Sequence, residues 1–139
     1  MSTPQSRYRR YLENLTPETL GSIGEFVAED VRFKDPFNDV RGIAHMTLVF
    51  RHMFDNVDDI RFTVDYMATD GDMCLMTWRF EGVLRGEAWC FDGASAVTFD
   101  RTGLVIEHID HWDAARDFYE RLPVIGRLLV WFRRRLAAR

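Results

Sequence analysis

Apolar residues recur along this chain in two rhythms, and the change from one to the other organises it. The first part keeps a helical period. Thr3-Pro4 offers an N-cap and a first helical residue, and Tyr8, Tyr11, Leu12 and Leu15 then share one stripe. Thr16-Pro17-Glu18 repeats the start signal ahead of Leu20, Ile23, Phe26 and Val27, which predicts a second amphipathic helix. Alternation over Val31, Phe33 and Asp35 predicts a short strand that Pro36 ends, with a turn through Phe37-Asn38-Asp39. Gly42 opens a third helix, whose stripe is Ile43, Met46, Val49, Phe50, Met53 and Phe54.

The middle of the chain has period two. Ile60 to Ala68, Met73 to Leu84, Glu87 to Phe99 and Leu104 to Trp112 read as four strands. Tight turn signals separate them: Asp70-Gly71-Asp72, Arg85-Gly86 and Asp100-Arg101-Thr102-Gly103. Helices followed by a meander predict an α+β fold, with helices on one face of a curved, largely antiparallel sheet. Asp113 then caps a short helix ending at Leu122-Pro123, and Val124 to about Leu136 forms a last helix carrying Ile125, Leu128, Leu129, Phe132 and Leu136. No linker parts sheet from tail, so residues 1–139 read as one domain with a C-terminal helical extension from about residue 113.

Composition adds room for a cavity: 47% of the residues are hydrophobic and 14% aromatic, enough for a large core and an aromatic-lined pocket. Cys74 and Cys90 have no metal-ligand spacing and sit in apolar runs, as buried thiols do. No Gly-rich phosphate loop is present, and neither a metal nor a cofactor is expected. The N-terminus begins no signal peptide and no apolar run reaches the roughly 18 residues of a membrane span, which points to the cytoplasm. A net charge of −4 argues against nucleic-acid binding. That charge is uneven: no acid follows Glu120, while Arg127, Arg133, Arg134, Arg135 and Arg139 do.

Candidate chemistry begins at Asp35, a carboxylate set between Phe33 and Phe37 just before a proline. In an apolar pocket its charged form is disfavoured and it becomes a usable base near neutral pH; on a surface it merely caps a turn. Strand parity puts Trp89, Phe91, Ser95, Val97 and Phe99 on one face, toward the helices, together with Met76, Trp78 and Phe80. The opposite face, with Cys90, Ala94, Ala96 and Thr98, is small enough to pack on a second copy as a homodimer. The last strand has two readings: Ile106, His108, Asp110 and Trp112 inward, or Val105, Glu107, Ile109 and His111 inward. The first is favoured because Trp112 ends it, and it pairs a buried imidazole with a buried carboxylate.

The order of elements and these motifs resemble the NTF2-like superfamily of cone-shaped α+β folds, and within it the SnoaL-like branch related to polyketide cyclases and to ketosteroid isomerases. The resemblance covers about residues 5 to 113 and rests on Tyr11, Phe33-Lys34-Asp35-Pro36 and the strand Gly103 to His108 ending at Trp112-Asp113. It implies that Asp35 is the base that moves a proton alpha to a carbonyl, and that Tyr11 donates to the enolate oxygen. Ser95 stands where the isomerases have a second, protonated aspartate. Similarity to the cyclases instead implies an acid/base group from the far wall of the pocket, with Asp110 or His108 the nearest candidate. Phe33, Phe37, Phe54 and Trp78 are then expected ligand contacts, as are Phe80, Ser95, Val97 and Trp112.

Three functions follow. The first is a cofactor-independent isomerase or cyclase acting on an apolar, polyketide- or steroid-like carbonyl compound. The second is a non-catalytic protein that binds an apolar ligand in the same cone. The third is a structural dimer whose aromatic residues fill the cone. The basic C-terminal helix is expected to fold back on its own domain, or on a dimer mate, near the pocket mouth; peripheral contact with an anionic membrane is the less favoured reading.

Overall fold

The computed structural model describes residues 2–138. Helix α1, Pro4–Glu13, starts at Thr3, whose side chain accepts from the Ser6 N–H while the Ser6 side chain accepts from the Thr3 N–H, a reciprocal cap. The expected second helix is instead a 3-10 helix, Thr19–Glu25, which contains Gly21 and Gly24; two glycines in seven residues weaken an α-helix. Strand β1, Val27–Lys34, and the short β2, Asp39–Arg41, form a hairpin around Asp35. Helix α2, Ile43–Asn56, follows Gly42, which takes a positive φ of 99°.

Four long strands complete the sheet: β3 Val57–Asp70, β4 Met73–Leu84, β5 Glu87–Phe99 and β6 Val105–His111. The spatial order is β2-β1-β6-β5-β4-β3. All neighbours are antiparallel except β1 and β6, which run parallel. The sheet is therefore mixed but largely antiparallel, and α1 and α2 cover its concave face. Burial alternates along β4 and β5, with Met76, Trp78, Phe80, Trp89, Phe91, Val97 and Phe99 inside. Cys74 is buried as expected, whereas Cys90 lies on the outer face and is exposed.

Strand β3 ends the sheet and so presents unpaired backbone groups. Helix α1 satisfies one residue of that edge: Glu13 accepts from the Val64 N–H at 2.9 Å, and Arg9 donates to the Val64 carbonyl at 2.9 Å. This clamp sets how far α1 lies across the cone.

Strand β6 follows neither reading of its parity throughout. Val105 is fully buried and pairs with Phe99, Ile106 points outward, and Glu107 pairs with Thr98. The extra residue is a bulge. It lets Val105 and also His108 and Asp110 face the concave side, combining one residue from one reading with two from the other.

The C-terminal segment contains helix α3, Ala114–Asp117, a 3-10 turn at Tyr119–Arg121 and helix α4, Ile125–Leu136. Asp113 caps α3 by accepting from the Arg116 N–H. Helix α4 rests on the 3-10 turn rather than on the sheet. Gly126 packs so closely on the Glu120 carbonyl that a Cβ there would clash with it. Arg133 forks onto Glu120 with bonds of 2.7 and 3.0 Å. These two contacts turn the opposite side of α4 outward, so Ile125, Leu128, Phe132 and Leu136 are exposed. The expectation that these residues pack on the body of the protomer is therefore corrected.

Candidate functional site

The helices and the curved sheet enclose a cavity of about 500 Å³. Aromatic rings make up much of its wall: Phe33, Phe62, Trp78, Phe80 and Phe91 from the strands, Trp112 just after β6, and Phe50 and Phe54 from α2. The rings pack on one another, Phe91 on Trp112 at 4.3 Å and on Phe80 at 4.9 Å, and they leave the space open rather than filling it. At one end Phe37 meets Trp112, Phe118 and Tyr119 edge-on, at 5.4, 5.2 and 6.1 Å. The C-terminal segment thus supplies part of the wall. It is anchored by Trp89, whose Nε1–H donates to the Asp117 carbonyl at 2.7 Å.

Glu13, Asn38, His52 and Asn56 are among the residues lining the cavity, and three further polar groups meet there. His108 and Asp110 project into it from β6, and Asp35 from the β1–β2 turn. Asp110 is the acceptor at the centre of a buried network. Its Oδ1 accepts from the Ser95 hydroxyl at 2.5 Å and from His108 Nε2 at 2.7 Å. Trp78 Nε1 donates to Ser95 at 2.8 Å, which turns the serine hydrogen toward Asp110. A carboxylate can only accept, so His108 carries its hydrogen on Nε2, and its Nδ1 takes the Tyr8 hydroxyl at 2.7 Å. Burial raises the Tyr8 pKa well above the ordinary tyrosine value and the Asp110 charge adds to the rise, so Tyr8 stays a neutral donor. Each donor in the chain from Tyr8 to Asp110 has a partner. Oδ2 of Asp110 has no protein donor among the described residues, and it is the oxygen left for a ligand.

Asp35 is held differently. Its Oδ1 accepts from the N–H groups of Phe37 and Asn38, at 2.8 and 2.7 Å, and from the Asn38 side chain at 3.1 Å. It therefore caps the turn and opens into the cavity as well. Burial raises its pKa above the ordinary carboxylate value; the bonds from Phe37 and Asn38 pull it back, and the Asp110 charge adds to the rise.

This shift has a consequence for stability. A raised pKa means that the folded chain holds the proton more tightly than the unfolded one. Its contribution is full below the unfolded pKa and is lost as pH rises through the folded pKa. Asp35→Asn keeps an acceptor for the two N–H groups and cannot ionise. The variant should melt above the parent on the alkaline side of neutrality, and the two should converge as pH falls through the carboxylate range. Parallel melting curves across pH would refute the raised pKa.

Three expected contacts lie elsewhere. Tyr11 does not share the cavity with Asp35: its ring stacks on Phe26 at 4.2 Å, and its hydroxyl donates to the Thr19 carbonyl at 2.9 Å. Burial, and then the Glu25 charge, push its pKa up to about 12. Tyr8, one turn earlier on the same stripe, reaches β6 instead. Ser95 is buried behind Asp110 and Trp78 rather than at the surface of the cavity, and Val97 is wholly inside the core. The other expected contacts, Phe33, Phe37, Phe54, Trp78, Phe80 and Trp112, all line the space. Phe62 and Phe91 lie on the inward parity of their strands. Phe118 and Tyr119 fall in a segment whose periodicity carries no sign that it returns to the cone.

A family model described as a SnoaL-like domain matches residues 8–108. No curated protein matches the chain. Among solved structures, an NTF2-like protein of unknown function from Burkholderia pseudomallei K96243 aligns with a TM-score of 0.74 at 18% identity, over 83% of this chain and 94% of that one. A SnoaL-like polyketide cyclase from Agrobacterium tumefaciens C58 aligns with a TM-score of 0.71 at 17% identity, over 81% and 93%. An LEH-like epoxide hydrolase from M. tuberculosis aligns with a TM-score of 0.67 at 17% identity, over 94% and 89%. At these identities the likeness is one of fold.

Proposed function

The chain belongs to the SnoaL-like domain family, and from that premise we propose that it is a cofactor-independent enzyme that moves a proton alpha to a carbonyl in an apolar ring compound, as an isomerase or cyclase does. The observation that carries this reading is the pair of unlike carboxyl groups opening into one aromatic cavity, Asp110 and Asp35. Asp110 is braced as an acceptor by Ser95 and His108 and offers Oδ2 as the base. Asp35 faces the same cavity with its pKa raised by burial and by the Asp110 charge, and in its protonated form it donates to the developing enolate oxygen. This exchanges the expected roles: the far-wall aspartate takes the proton, and the Asp-Pro aspartate supplies the hydrogen bond expected of Tyr11.

The proton leaves the substrate carbon for Asp110 and the carbonyl becomes an enol on accepting a proton from Asp35; Asp110 then returns its proton to a different carbon while the enol proton goes back to Asp35, which restores the carbonyl and completes an isomerisation. Tyr8 and His108 are positioning residues that fix the orientation of Asp110. Trp78, Phe80, Phe91 and Trp112 supply apolar contact for a flat ring system.

The reading is tested by incubating a panel of polycyclic ketones with the protein in deuterated water and following exchange of the alpha hydrogens by NMR. Exchange faster than the buffer rate, lost in Asp110→Asn, is the expected result. Ligands that bind with no catalysed exchange would transfer the site to the binding-protein reading.

A further inference from the structure

We propose that α4 is an interfacial anchor that docks the protein on an anionic membrane surface. No helix of the described chain is long and apolar enough to cross a membrane, so the contact in question is with the surface alone. The inference starts from an unpartnered face. Ile125, Leu128, Phe132 and Leu136 follow one another at spacings of three, four and four and so form one stripe. Leu128 is 53% exposed, Phe132 50% and Leu136 86%. The side of α4 that does touch protein is a different one, through Gly126 and Arg133.

Charge identifies the occupant. Residues 121–139 hold six arginines and no acid. Arg121 pairs with Glu87 and Arg133 with Glu120, but Arg127, Arg134 and Arg135 have no ion pair among the described residues. Arg135 lies over the Trp131 ring at 5.7 Å beside the stripe, while Arg127 and Arg134 occupy the polar face. A helix with an apolar stripe, an unpaired arginine face and a tryptophan near the boundary matches a bilayer interface: side chains enter the acyl boundary and guanidinium groups meet lipid phosphates. A second α4 laid against the first would bring two acid-free arginine sets together, so charge opposes self-pairing through this helix.

The geometry carries a further consequence for access. Helix α4 is mounted on the 3-10 turn Tyr119–Arg121, and Phe118 and Tyr119 line the cavity. Docking through α4 therefore holds this end of the cavity near the lipid, whatever reaction the cavity performs.

The experiment is co-sedimentation of the full-length protein with vesicles of phosphatidylcholine alone and of phosphatidylcholine mixed with phosphatidylglycerol. The protein should pellet with the anionic vesicles, remain in solution with the neutral ones, and be released by added salt. Arg134→Gln with Arg135→Gln should weaken binding about 25-fold, at about fivefold for each arginine. Leu128→Gln with Phe132→Gln should abolish it while circular dichroism stays that of the parent. Failure to pellet with anionic vesicles at low salt would overturn the proposal, as would equal binding to both vesicle types. A lipid-free Leu128→Gln, Phe132→Gln protein sedimenting at half the mass of the parent would also overturn it, by assigning the stripe to a second copy.

Discussion

Replacing Asp110 with Asn is expected to lower the rate of alpha-proton transfer about 100- to 10,000-fold, the usual range for a general base, while the fold persists. The network explains why the loss should be chemical. An Asn Oδ1 in the same position still accepts from Ser95 and His108, so neither buried donor is orphaned. What disappears is the oxygen facing the cavity, replaced by an amide that cannot take a proton. Steady-state kinetics and thermal melting on the same preparation check the prediction. A parent-like rate in the variant would remove Asp110 from the chemistry and with it the proposed mechanism.

The largest effect on stability is expected at Phe33. It is 2% exposed and packs against Phe50 and His108, each with ring centroids 5.2 Å away. It sits on β1 between Val40 of β2 and His108 of β6, where the antiparallel hairpin meets the one parallel pair. Phe33→Ala removes contacts to helix and sheet together and should cost about 3–5 kcal/mol, as buried Phe truncations do. Phe33→Leu keeps most of the volume and should cost much less. Urea denaturation of both variants is the measurement. A loss below about 1 kcal/mol for the alanine variant, the level of an average substitution, would mean that the adjoining cavity collapses freely into the space. Because Phe33 also touches the imidazole that orients Asp110, the alanine variant should lose turnover in conditions where it remains folded.

The architecture was readable because its signals are periodic. Alternation assigned Trp78, Phe80, Trp89 and Phe91 to the concave face without reference to any neighbour, and the turn signals Asp70-Gly71 and Arg85-Gly86 fall between strands that do pair. Three-dimensional selection within a periodic stripe was not readable. Tyr8 and Tyr11 share a helix face, and which of them meets β6 depends on where α1 lies across the sheet. The Arg9 and Glu13 clamp on Val64 sets that position through contacts 51 to 55 residues apart in sequence. The same limit explains α4. Its amphipathic pattern gives the direction of its apolar stripe within the helix but not within the molecule, and Gly126 against Glu120 decides which side is covered. Ser95 has the inward parity that alternation predicts, yet Trp78 and Asp110 close over it, and parity says nothing about depth.

The bulge at Ile106 gives the fold a buffer against changes in chain length. The turn from Asp100 to Leu104 lies on one side of it, and the His108–Asp110 pair lies on the other. In a strand of unbroken alternation, one residue gained or lost at that turn would rotate every following side chain to the opposite face, taking Asp110 out of the cone. With an unpaired residue between them, such a change can be taken up at Ile106, by deepening the bulge or ironing it flat. Insertions and deletions in this loop should therefore be silent far more often than in the turn at Arg85-Gly86, where β4 and β5 pair residue for residue from Leu84 and Glu87 onward. The loop is free to diverge in length while the carboxylate it precedes stays where it is.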